Sequence, residues 1–213
     1  MSTAHGDAAK QTWRNRRSEE TRRAVIEAAV HCLVEQGYAN TTTQLVADQV
    51  GLSRGAMNYH YATRTDLIGA VIDYIFLRLL EMAYDGVERR EAGNGIDMSQ
   101  ATDLQWSVIN SAEYIAYIEL NIAARTDADL QSHFDKKAVA FDQLWLEKSE
   151  ELLPLWEGDR SNVAFAWNFT RATLEGLKIN ERIVRTRAGR KRIRDGLIAA
   201  MMAFQSGKVK IPE

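Results

Sequence analysis

Residues 41–61, TTTQLVADQVGLSRGAMNYHY, read as two short helices joined by a tight, glycine-centred turn. Val46, Ala47 and Val50 recur at i, i+1 and i+4, which gives the first helix one apolar face. Gly51 stands where a helix C-terminus favours a residue able to take positive φ, and Ser53 is a natural N-cap for the second helix. That second helix, residues 54–59, is chemically unlike the first. It carries Arg54, Asn58 and Tyr59, with His60 beside them, and only Ala56 and Met57 suit packing. A short helix rich in hydrogen-bonding side chains, held by an apolar partner across a tight turn, is an arrangement that reads a DNA major groove.

The flanks extend this pattern. Ser18 is expected to cap a preceding helix whose first turn holds Glu19 and Glu20, matched to the positive end of the helix dipole. Val25, Ile26, Ala29, Val30, Leu33 and Val34 form its apolar stripe, and Gly37 ends it. Thr41-x-x-Gln44 has the spacing of a capping box, and Thr63-x-x-Asp66 imitates one before a long helix expected from Leu67. The expected organisation is all-α. Residues 1–17 form a basic, flexible arm, 18–64 a three-helix helix-turn-helix DNA-binding domain, and 65–213 a larger helical ligand-binding and dimerisation domain.

Gly37-Tyr38, Thr41-Thr42, Val46-Ala47, Gly51-Leu52-Ser53-Arg54-Gly55, Met57, His60-Tyr61, Thr63-Arg64 and Leu67 together resemble the TetR family of bacterial transcriptional regulators. The likeness is close over residues 18–75. Two positions depart from the family pattern, which usually has Tyr at Asn58 and Lys at Arg64. Arg keeps the charge and adds a fork suited to phosphate, while Tyr59 offers a hydroxyl beside Asn58. The resemblance implies DNA contacts from Thr41, Thr42, Thr43, Gln44, Ser53, Arg54, Gly55, Asn58, Tyr59, His60 and Arg64. Arg54 can donate to a guanine edge or grip phosphate, Asn58 suits an adenine edge, and Tyr59 a phosphate or thymine methyl. Thr42 and Arg64 are expected to be phosphate clamps.

Composition agrees with this reading. Hydrophobic content of 46% is that of a globular chain, and no apolar run approaches a membrane span. The first residues have no apolar core of a secretory signal, so a cytoplasmic location is expected. Cys32 is the one cysteine, which excludes an intramolecular disulfide and reads as a small core residue. A net charge of −2 hides an uneven distribution: residues 1–23 hold six basic groups against three acidic ones. Trp13, Arg14, Arg16 and Arg17 suit phosphates or a minor groove, and equally a solvated tail.

Beyond residue 65 the pattern is helical almost throughout, with Pro154 and Pro212 as its two prolines. Expected breaks lie at Gly93-Asn94-Gly95, near Asn110-Ser111, and at Glu157-Gly158-Asp159. In the family such a domain holds an inducer pocket and a dimer interface made by the last two helices. Trp106, Glu113, Tyr117, Trp145, Trp167, Asn168 and Arg171 mix aromatic surface with a few polar groups, as small-molecule sites do. Glu113 suits a cationic ligand and Arg171 a carboxylate, unless the two pair with one another or another group. Leu174, Leu177, Ile198, Met201 and Met202 supply apolar faces for a four-helix contact between two chains.

The expected partners are a double-stranded DNA operator, a second copy of the chain and a small-molecule inducer, with no membrane, cofactor or metal. Asp129 and His133, spaced i, i+4, read as a solvated face. Neither a phosphate loop nor a nucleophile elbow occurs, so no enzyme is expected. A regulator governed by a partner protein, or without an effector, is the alternative reading.

Overall fold

The computed structural model describes residues 3–88, 97–152 and 160–211, and side chains over most of these. The described residues form nine helices and no strand: α1 (Thr3–Gln36), α2 (Thr43–Val50), α3 (Arg54–His60), α4 (Arg64–Glu88), α5 (Met98–Ile109), α6 (Ala112–Ala124), α7 (Ala128–Leu152), α8 (Arg160–Ile179) and α9 (Arg187–Gln205). The fold is therefore all-α, as expected. The breaks expected at residues 93–95 and 157–159 lie outside the described residues, as do the side chains of Trp13 and Arg14.

Several boundaries differ from the sequence reading for identifiable reasons. The first helix begins at Thr3 rather than at Ser18. Residues 3–17 contain no proline and are rich in Ala, Lys, Gln and Arg, all compatible with continuing a helix, so Ser18 does not act as a start signal. The α2 N-cap is Thr42, whose hydroxyl accepts from the Leu45 N–H at 3.1 Å. Thr41 is fully buried, and its hydroxyl donates instead to the Gly37 carbonyl at 2.9 Å. α4 starts three residues before Leu67, behind a reciprocal Thr63–Asp66 cap in which each backbone N–H donates to the other's side chain. The break near residue 110 is present, with Asn110 capping α5.

The chain divides into two compact units, residues 1–75 with 116–134, and residues 76–115 with 135–213. α4, α6 and α7 each pass from one unit to the other within a helix. The first unit is closed by Val25, Ala29 and Leu33 of α1, Val46 and Ala47 of α2, Met57 of α3, Leu67, Val71 and Ile75 of α4, and Leu120 and Phe134. Cys32 belongs to this core. Burial raises its thiol pKa, and Sγ donates to Gln49 Oε1 at 2.9 Å. The second unit buries Leu79, Leu104, Ile109, Leu174, Leu177, Leu197 and Met201. Fully burying one such aliphatic side chain is worth about 1.5–3 kcal/mol. A Cβ at Gly86 would come within 2.1 Å of Leu104 Cδ1, so the Leu104 side chain has to shift to admit one.

Candidate nucleic-acid interface

α2 and α3 are joined by a turn that each local residue supports. Gly51 takes φ 69°, and the Leu52 N–H returns to the Ala47 carbonyl at 2.9 Å. Ser53 Oγ accepts from the Ala56 N–H at 3.2 Å and starts α3. Met57 faces the core at 2% exposure, which turns the opposite side of α3 outward. Arg54, Gly55, Asn58 and Tyr59 are exposed there, Tyr59 at 81%. Thr43, Gln44, Ala47, Arg54, Met57 and Asn58 line a surface groove of about 300 Å³. The structure thus brings together Thr42, Thr43, Gln44, Ser53, Arg54, Gly55, Asn58 and Tyr59 on α2, the turn and α3.

Three expected contact residues differ. Thr41 is buried, so its side chain is not on this surface. His60 is half-buried; burial lowers its pKa, Arg22 adds to that, and Glu19 opposes it. Its Nδ1 has no hydrogen-bond partner among the described residues. Arg64 turns back on its own unit. Its guanidinium lies 4.0 Å from the Tyr38 ring centroid and donates through Nε to the Thr41 carbonyl at 2.8 Å and through Nη2 to the Tyr38 carbonyl. The planar fork holds two carbonyls at once, which an ammonium does not match.

Tyr38 anchors a second set of contacts that the sequence reading missed. Its N–H donates to Glu119 Oε1 at 2.7 Å, and its hydroxyl donates to Asp127 Oδ2 at 2.8 Å. Burial and that bond raise the Tyr38 pKa, whereas the Leu130 N–H and the Tyr38 hydroxyl lower that of Asp127. Gly37, at φ 77°, lets the chain pass Glu119, where a Cβ would sit 3.0 Å from Oε1. These partners are 81 and 89 residues apart in sequence, and no local periodicity announces them.

The expected effector residues fall into separate groups. Trp145 and Trp167 meet at 4.8 Å between ring centroids. Arg171 donates to Asp142 and to Asn168, and lies 5.9 Å from the Trp167 ring. Glu113 lies 3.9 Å from Arg78, so Glu113 and Arg171 each have a partner other than one another. Trp106 faces Arg194 at 5.6 Å, and Arg194 also pairs with Asp103. Tyr117 belongs to the first unit and packs on Phe134 at 5.4 Å between ring centroids. Asp129 and His133 are exposed, and no metal-binding cluster occurs among the described residues.

The expected dimer residues divide in the same way. Leu174, Leu177 and Met201 are buried within the protomer at 0, 4 and 1% exposure, because they face the packing between α5, α8 and α9. Ile198 is half-buried, while Met202 remains 55% exposed. The outward side of α8 carries Phe169 and Ile179 instead.

Residues 25–71 match the family model described as bacterial regulatory proteins, tetR family. The segment that carries the helix-turn-helix is thus similar to the TetR family. An uncharacterized HTH-type transcriptional regulator of Mycobacterium tuberculosis is 30% identical over 115 residues, which cover 54% of this chain and 58% of that one. The chain therefore spans a little over half the length of that relative. A TetR-family regulator from Rhodococcus superposes with TM-score 0.62 at 18% identity, over 87% of this chain and all but 1% of its own. A transcriptional regulator from Saccharomonospora viridis, solved with choline, gives 0.61 at 15% identity over 86% of this chain and 96% of that one. At such identities these two establish the shared fold. The matched family and relatives are regulators, not enzymes.

Proposed function

We propose that this protein is a dimeric DNA-binding transcriptional regulator, a repressor released from a pseudo-palindromic operator by a small molecule. The observation that carries the reading is α3, pinned from behind by Met57 so that Arg54, Asn58 and Tyr59 project outward together. Residues 18–64 then act as the reading head, and 65–213 supply the effector and dimer functions. Two outward stripes support dimerisation. Phe169, Ala172, Gly176 and Ile179 on α8 step by 3, 4 and 3, and Gly196, Ala199 and Met202 on α9 step by 3. A Cβ at Gly176 or Gly196 would meet nothing within 4 Å. Glycine inside a helix costs about 1 kcal/mol relative to alanine, and room left open on this face suits close approach by a second copy.

The Trp145–Trp167 pair with Asn168 and Arg171 supports effector control, since the Trp167 indole N–H is buried without an acceptor among the described residues. The choline complex of a protein with this fold is consistent with a small-molecule effector. A binding selection from random duplexes, followed by electrophoretic shifts, tests the DNA reading. Asn58→Ala should cost about 1–3 kcal/mol and relax preference at one base position. Unchanged binding by an Arg54→Ala/Asn58→Ala/Tyr59→Ala variant would overturn it.

A further inference from the structure

Residues 182–194, RIVRTRAGRKRIR, hold seven of the 27 basic groups in the chain and no acidic one. The remaining residues carry 20 basic groups against all 29 acidic ones, so this short segment is a positive patch on an otherwise acidic protein. It forms the turn after α8 and the first two turns of α9, which Thr186 caps at its N-terminal end. Three of the seven are engaged. Arg190 donates to the Val184 and Arg185 carbonyls and lies 3.6 Å from Glu181, Lys191 pairs with Asp195, and Arg194 pairs with Asp103. Arg182, Arg185, Arg187 and Arg192 are exposed and make no ion pair or side-chain hydrogen bond among the described residues.

We propose that this turn is a second DNA-contacting surface, which grips the phosphate backbone of duplex DNA without reading its sequence. The proposal rests on the reading of the protein as a DNA binder and adds a site apart from α3. Guanidinium groups dominate the patch, six of seven, and their forks match phosphate oxygens bidentately. The positive end of the α9 dipole adds to the same potential. Four arginines within eleven residues, with no ion-pair partner among the described residues, repel each other, and a polyanion removes that cost while releasing its own counterions. A lipid surface fits less well. Ile183 is 77% exposed beside Arg182, but Ile179 already belongs to the outward stripe of α8, and stable anchoring of a protein on a bilayer takes more than one apolar side chain with a basic patch.

The test measures affinity for a random-sequence duplex as a function of salt, with the full chain. Replacing Arg182, Arg185, Arg187 and Arg192 by Gln should lower the slope of log K against log salt by about 3–4 for each engaged protomer, with no loss of melting temperature. The same four positions as Lys should keep most of the slope, because charge is kept. An unchanged slope in the Gln variant overturns the proposal. So does charge-dependent binding to phosphatidylglycerol vesicles with no effect on DNA. Arg54→Ala/Asn58→Ala provides the separation. Loss of operator preference in that variant, with the Gln variant behaving as wild type, leaves the reading head standing and removes the second surface. Failure of the wild-type protein to bind any duplex removes both.

Discussion

The guanidinium of Arg64 meets the carbonyls of Tyr38 and Thr41, so its first effect is on the geometry of the loop between α1 and α2. Arg64→Ala should lower the unfolding free energy by about 1–3 kcal/mol in a urea titration, since it leaves the Thr41 carbonyl unpaired and the Tyr38 carbonyl with only the Thr41 N–H. Lys at this position should recover only part of that. If the role is internal, weaker DNA binding by the Ala variant comes without a change in salt slope, whereas a slope lower by about 1 would mark a direct phosphate contact. His60 gives a pH signature. Burial holds its pKa below the ordinary 6.5, so the folded state binds fewer protons than the unfolded chain. Its contribution to stability is complete above about pH 6.5 and is lost as pH falls from there towards the folded value. The melting temperature should therefore drop across that window, and His60→Gln should flatten the drop. Asp127 and Glu181, both held low, lose their contributions only below their ordinary values of 3.8 and 4.5. Residue types on α3 were legible in the sequence because polarity alone marks them. The burial of Thr41 was not, because adjacent threonines offer equivalent caps and only the fold chooses between them.

At the scale of elements, punctuation was the readable part. Gly37 and Gly51 end their helices at φ 77° and 69°, as glycine's freedom predicts, and the Asn110 break stands where one long apolar segment changes face. The start of α1 was illegible because Ser18 has the chemistry of a cap while the residues before it have helix-forming chemistry too. Contacts between distant elements, such as Tyr38 with Asp127, leave no periodic trace. Gly86 illustrates this: nothing in its neighbourhood of sequence marks it, yet the Leu104 side chain of α5 lies so close to it that Gly86→Ala should cost about 1–3 kcal/mol. Shortening the opposing side chain tests the cause. In a double-mutant cycle, Leu104→Ala should lessen the penalty of Gly86→Ala, and strict additivity would show that the glycine serves another purpose.

At the scale of the molecule, the two faces of α8 and α9 have different duties. Leu177 and Met201 close the interior, whereas Met202 lies on the open side. Leu177→Asp should therefore unfold the protein by burying an unpaired charge. Met202→Glu should instead leave melting cooperative and shift the mass in light scattering from about twice 24.1 kDa towards the single chain. A wild-type monomer that still bound a palindrome tightly would sink the dimer proposal. Amphipathic periodicity identified both helices, but a single sequence does not reveal which of two apolar stripes meets its own chain. The buried Leu174 and the exposed Phe169 are equally apolar in the sequence.

Three helices carry the chain between its compact units, at residues 75–76, 115–116 and 134–135, and none of these crossings is a loop. Modular exchange of specificity is constrained by that wiring. A chimaera that grafts residues 1–64 onto another regulator leaves behind Leu67, Val71, Leu120 and Phe134, the apolar wall against which the reading head closes. Glu119 and Asp127, the partners of Tyr38, would stay behind with them. A transplant that keeps its fold has to carry residues 1–75 and 116–134 together, spliced in helical phase at three places. If α3 reads DNA as proposed, the unit of inheritance for that specificity is discontinuous in the gene, and point substitution on α3 is a shorter route to a new target sequence than recombination.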